Sequence, residues 1–159
     1  MTGVVITVQM AVRSRWTIVL AVLVLWVGLS AAAWSHAHLR QASPGQGATV
    51  TETPTEVRLT FSEPVEVGFS TFKVYPLPPA DDEGELREAA RELMGQVLHA
   101  RDDADARADA GLAGESRTSA DIVILLKDDL EPGPYVVMWR VLSVDTHVTE
   151  GFYTFTYAP

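Results

Sequence analysis

Residues 55–61 alternate strictly, with Val57, Leu59 and Phe61 on one side of an extended chain and Glu56, Arg58 and Thr60 on the other. A period of two is the pattern of a strand with one face in a core and the other in water. Pro54 and Pro64 punctuate its two ends, where a strand starts or stops. The same grammar recurs along the chain. Residues 67–75 form a second β-rich run, and residues 121–126 form a continuous apolar run that reads as a strand buried on both faces. Glu131-Pro132-Gly133-Pro134 is a strong turn signal. After it, residues 135–142 are apolar almost throughout, with Tyr135, Val137, Trp139 and Val141 sharing one side. Phe152, Tyr153, Phe155 and Tyr157 close the chain. Short strands joined by Pro/Gly turns predict an all-β fold, an antiparallel β-sandwich of roughly seven strands.

Residues 76–119 break the pattern and read as an insertion between two sandwich strands, since so long a structureless stretch is foreign to a compact domain. Leu86, Ala90, Leu93 and Val97 fall at i, i+4, i+7 and i+11, one face of a helix. Asp81, Asp82 and Glu83 are placed to complement its N-terminus. Residues 101–114 are charged and Ala-rich with little to bury, so they are expected to fray.

The N-terminus has the form of a secretory leader. Arg13 and Arg15 supply a positive n-region, residues 17–28 an apolar h-region, and Ala33 and Ser35 the small residues of a cleavage site. Met10 is an alternative start. The expected division is a signal peptide over residues 1–35 and one domain over 36–159. The alternative is an uncleaved anchor, since the uncharged run approaches the ~20 residues that span a bilayer. Loss of Arg13 and Arg15 takes the net charge from −9 to −11. That acidity argues against nucleic acid and anionic membrane surfaces as partners. The chain has no cysteine, so no disulfide framework holds the fold, and thiolate zinc or copper centres are excluded.

The chemistry-bearing residues sit near the two ends of the expected domain. A cut after Ser35 makes His36 the terminal residue, and its free amine and ring can chelate one metal ion. Asp145 and His147 are spaced i, i+2, which in an extended segment projects both to the same side. Amine, imidazole and carboxylate groups in a square arrangement suit Cu(II), so His36, Asp145 and His147 are the expected ligands. His38 is a further candidate. In third place behind a terminal His36 it offers a competing mode, in which the amine, two deprotonated backbone amides and the His38 ring surround the ion. A cut after Ala33 puts His36 in that third place, and a cut after Ala37 makes His38 terminal. His99, on the insertion, reads as an ordinary surface residue. Met94 and Met138 fall in different segments, so a thioether cluster for Cu(I) is absent. Trp139 and Tyr153 read as core.

The chain resembles the CopC family of exported copper-resistance proteins. The residues that carry the likeness are His36-Ala37-His38-Leu39, Ser43-Pro44 and Gly47-Ala48, then the run from Val57 through Ser62-Glu63-Pro64-Val65. They continue with Pro132-Gly133-Pro134-Tyr135, Trp139-Arg140-Val141-Leu142-Ser143, Asp145-Thr146-His147 and Gly151-Phe152-Tyr153-Thr154-Phe155. The resemblance implies an immunoglobulin-like β-sandwich in the periplasm that binds Cu(II), with His36 matching the family's N-terminal histidine and Asp145 and His147 its remaining ligands. It covers the expected domain except the insertion, and the methionine-rich Cu(I) loop of some members is missing. The expected function is therefore copper homeostasis or resistance: a monomer, not an enzyme, that buffers, sequesters or delivers copper. A membrane copper-transport protein is the partner that the family implies. Two rival readings are a copper oxidative enzyme built on a terminal-histidine chelate and a metal-free envelope adhesion module.

Overall fold

The computed structural model describes residues 37–114 and 116–159. The expected leader and His36 lie outside the described residues. Among the described residues, eight strands form two four-stranded sheets. The first has the order β1 (Leu39–Ser43), β3 (Glu56–Glu66), β6 (Thr118–Leu126), β5 (Asp109–Leu112). The second has the order β2 (Thr49–Val50), β8 (Val148–Tyr157), β7 (Gly133–Leu142), β4 (Thr71–Pro76). All pairings are antiparallel except the short parallel contact of β2 with β8.

The alternation read in residues 55–61 points Val57, Leu59 and Phe61 inward from β3, where Ile122, Ile124 and Leu126 of β6 join them. From the second sheet come Phe72 and Val74 of β4, Tyr135, Val137, Trp139 and Val141 of β7, and Tyr153, Phe155 and Tyr157 of β8. These two inner faces form the sandwich core. Tyr135 stacks on Phe155 at 5.4 Å between centroids, and Phe61 meets Trp139 edge-on at 5.9 Å, the offset geometries that aromatic quadrupoles favour. Gly151 lies under the Trp139 indole. A Cβ there would come within 2.5 Å of the ring, so only glycine fits.

Three features depart from the expectations. Pro64 does not end its strand: β3 continues to Glu66 through an irregularity between Thr60 and Val65, where pairing to β6 is interrupted. A proline without an N–H is tolerated at such a break. The strand at 121–126 is buried on one face only, with Leu125 exposed. It is β7 that is buried on both faces. Its outer side, Val136 and Met138, is covered by α1 (Glu83–Val97), which presents Leu86, Ala90, Leu93, Met94 and Val97. The helical face read from the sequence is thus the one that packs. Asp82 is the N-cap, its carboxylate accepting from the Glu85 N–H at 2.9 Å.

The third departure is residues 101–114, expected to fray. Ala108 and Asp109 are buried, residues 109–112 form β5, and residues 107–109 seal the open edge of β4. The Ala108 N–H donates to the Val74 carbonyl at 2.8 Å, and the Val74 N–H donates to Asp109 Oδ2 at 2.8 Å. Arg107 pairs with the Asp109 carboxylate and reaches the Phe72 carbonyl. Lys73, 2 % exposed, crosses to the insertion and donates to the carbonyls of Val97 and Ala100, each at 2.7 Å, and to Asp103. It thereby bonds backbone acceptors at and just past the end of α1. Buried ion pairs take the place of the apolar side chains this segment lacks.

Candidate metal centre

The site is built on the hairpin joining β7 to β8. Leu142 and Val148 are the last paired residues, and between them the Thr146 N–H donates to the Ser143 carbonyl at 2.9 Å. The Ser143 N–H donates to the His147 carbonyl at 2.9 Å. Thr146 adopts φ +72°, the left-handed region that completes a three-residue hairpin turn. For a β-branched residue that conformation costs about 1–2 kcal/mol.

The turn aims two side chains at one place. Asp145 Oδ1 accepts from the Ser143 hydroxyl and, at 3.2 Å, from the His147 N–H. Asp145 Oδ2 then stands 3.1 Å from His147 Nδ1. Both side chains are about one third exposed, so the pair is shielded yet open to solvent. Ser143 is 1 % exposed and bridges to Val65, while the Val144 N–H donates to the Pro64 carbonyl, which anchors the turn to the first sheet.

The start of the described chain arrives at the same end of the sandwich. Thr149, two residues after His147, donates through Oγ1 to the Ala37 carbonyl at 2.8 Å. The His38 N–H donates to Ser62 Oγ at 3.1 Å, and the Ser62 N–H returns a bond to the His38 carbonyl at 2.9 Å. The Ala37–His38 segment, over a hundred residues earlier in the chain, is thereby bonded to β8 two residues beyond His147. His99 lies elsewhere, at the end of the helical insertion, 3.8 Å from Glu150, which also pairs with Arg140 at 3.2 Å. Among the described residues no group of three or more His, Cys, Asp and Glu side chains is gathered for a metal. Trp139 and Tyr153 are 7 % and 2 % exposed and belong to the core, as read from the sequence. Burial also pushes the Tyr153 phenol well above its usual pKa.

One residue escaped the sequence reading as a site candidate. Glu63 lies between Ser62, bonded to His38, and Pro64, bonded to Val144. Its Oε1 is buried and has no hydrogen-bond partner among the described residues. A buried carboxylate oxygen left without a partner is costly, which marks Glu63 as a feature to explain at this end of the sandwich. The signal lay in Ser62-Glu63-Pro64, which interrupts the alternation of β3.

Comparison with known proteins agrees with this architecture. The chain is 34 % identical over 123 residues to Protein YobA of Escherichia coli strain K12, covering 77 % of this chain and 79 % of that protein. It is 29 % identical over 132 residues to Copper resistance protein C of Escherichia coli, covering 83 % and 89 %. The crystal structure of CopC from Methylosinus trichosporium OB3b superposes with a TM-score of 0.54 at 26 % identity, over 78 % of this chain and 95 % of that one. The CopC domain family matches residues 39–158, from the first residue of β1 to just past the end of β8. Since that span takes in both sheets and the hairpin carrying Asp145 and His147, the chain belongs to the CopC family.

Proposed function

We propose that this protein is exported to the periplasm, where it binds one Cu(II) ion through the amine and ring of a terminal His36 together with Asp145 and His147. The observation that carries the reading is the 3.1 Å separation of Asp145 Oδ2 and His147 Nδ1. Nitrogen and oxygen ligands lie about 2.0–2.2 Å from a divalent metal such as zinc, so two of them at a right angle stand about 2.8–3.1 Å apart. The pair has the spacing of adjacent ligands in a square plane, the arrangement that suits Cu(II). Chain connectivity supports the third ligand, since consecutive Cα atoms are 3.8 Å apart and Ala37 is bonded to Thr149 beside the pair.

Copper is cargo in this reading, buffered, sequestered or passed to a membrane copper-transport protein, and no catalytic step is assigned. Among the described residues no helix is long and apolar enough to cross a membrane. The test is a Cu(II) titration with electron paramagnetic resonance, on protein processed in an exporting host and checked by N-terminal mass. One tight equivalent is expected, and His147→Ala should weaken it by at least the 10–100-fold that even outer-shell losses produce. An affinity indifferent to His147 overturns the two-ended site. Because protons compete for imidazole and amine, affinity should fall on acidification.

A further inference from the structure

Building on the copper reading, we infer that the fold forbids a competing chelate that the same N-terminal residues could form, by stapling the Ala37–His38 peptide to both sheets. A chain that begins His36-Ala37-His38 carries histidine in third place. A free peptide of that pattern wraps Cu(II) in four nitrogens: the terminal amine, the deprotonated backbone nitrogens of residues two and three, and the third residue's ring. Four such donors fill the square plane and leave no position in it for Asp145 or His147. The two modes are therefore mutually exclusive, and something must choose between them.

The four-nitrogen mode needs the backbone nitrogens of Ala37 and His38 turned toward one ion. The structure holds this peptide differently. The His38 N–H is directed to Ser62 Oγ at 3.1 Å, and the His38 carbonyl receives the Ser62 N–H at 2.9 Å. Ser62 belongs to β3 of the first sheet. The Ala37 carbonyl receives Thr149 Oγ1 at 2.8 Å, from β8 of the second sheet. Ala37 itself is 2 % exposed and packs in the sandwich core. Curling this segment around an ion would break the His38 N–H bond to Ser62, strain the two carbonyl bonds and withdraw Ala37 from the core. The segment stays extended into β1, which leaves a terminal His36 only its amine and ring to offer. Ser62 and Thr149 thus determine which coordination the copper takes, without touching it.

The experiment compares Cu(II) electron paramagnetic resonance and visible spectra of five exported proteins whose N-terminal mass is measured: wild type, H38A, H147A, the S62A/T149V double variant and the H38A/S62A/T149V triple variant. Folded wild type and folded H38A should give the same mixed nitrogen–oxygen spectrum and the same affinity. In denaturing urea at neutral pH, wild type should switch to the four-nitrogen spectrum and H38A should not. The folded double variant should show a four-nitrogen component that is lost when H38A is added. The inference is overturned by a four-nitrogen spectrum in folded wild type that H38A abolishes, by its absence in urea, or by a mature chain starting anywhere but His36. The H38A comparison uses no destabilised protein, so it decides even if the double variant does not fold. H147A reports separately on the two-ended site: a spectrum it leaves unchanged sinks that reading, whatever H38A does.

Discussion

The two oxygens of Asp145 have different surroundings, and the difference organises the candidate centre. Oδ1 is committed to the Ser143 hydroxyl and the His147 N–H, so Oδ2 is left facing the imidazole. Ser143 is buried and acts through Asp145 as a positioning residue. Ser143→Ala should therefore weaken Cu(II) binding by about tenfold, the lower end of what outer-shell losses cause. Its effect on stability should stay near 1 kcal/mol, the net worth of one hydrogen bond. A titration paired with urea unfolding separates the two effects, and Ser143→Thr should restore part of the affinity because it restores the hydroxyl. At this scale Asp145 and His147 were legible because an i, i+2 pair of ligand types stands out in sequence. The positioning role of Ser143 was not, since it depends on which neighbours a buried hydroxyl meets.

At the scale of elements, the insertion is an integral part of the sandwich. Lys73, Tyr75, Asp103, Arg107 and Asp109 form a connected polar network beneath α1 and along the edge of β4. Lys73→Met removes a buried cation and leaves the Asp103 carboxylate to the Tyr75 hydroxyl and the more distant Arg107, so it should destabilise the fold by about 3 kcal/mol, read by denaturant unfolding. Burial by itself would raise the Asp103 pKa. Hydrogen bonds from Lys73 and Tyr75, with the charges of Lys73 and Arg107, outweigh it and hold the carboxyl below its ordinary value. A depressed carboxylate contributes stability that is present above the unfolded value of about 3.9 and is lost as pH falls through the lower folded value. Asp103→Asn should therefore be less stable at neutral pH, and its stability should fall less steeply on acidification below about pH 5. Urea unfolding measured across that range checks the sign. The helix was legible here because its apolar face has a period. The network was not, since charge-rich sequence reads as solvated until a topology shows an open edge for it to seal.

For the whole molecule, the proposed copper site links binding to folding, because Asp145 and His147 lie near one end of the chain and the N-terminal segment at the other, and the fold bonds that segment to Thr149. A ligand held by the native state alone adds RT ln(1 + [L]/Kd), about 2.7 kcal/mol at a hundredfold excess over Kd. Saturating Cu(II) should accordingly raise the unfolding temperature by several degrees, a chelator should reverse it, and His147→Ala should lose most of the shift, all readable by calorimetry. What the sequence by itself determined was local: a period-two pattern with Pro/Gly punctuation makes strands, a 3.6-residue pattern makes one helix, and the absence of cysteine leaves the core to hold them. The ligand types His and Asp were equally visible, because chemistry resides in the side chain. Tertiary structure alone decided that α1 covers the outer face of β7, that residues 107–109 close the edge of β4, and that Ser62 and Thr149, from different sheets, both bond the Ala37–His38 segment. Those are contacts between segments far apart in the chain, and no local periodicity encodes which surfaces must share their exclusion of water.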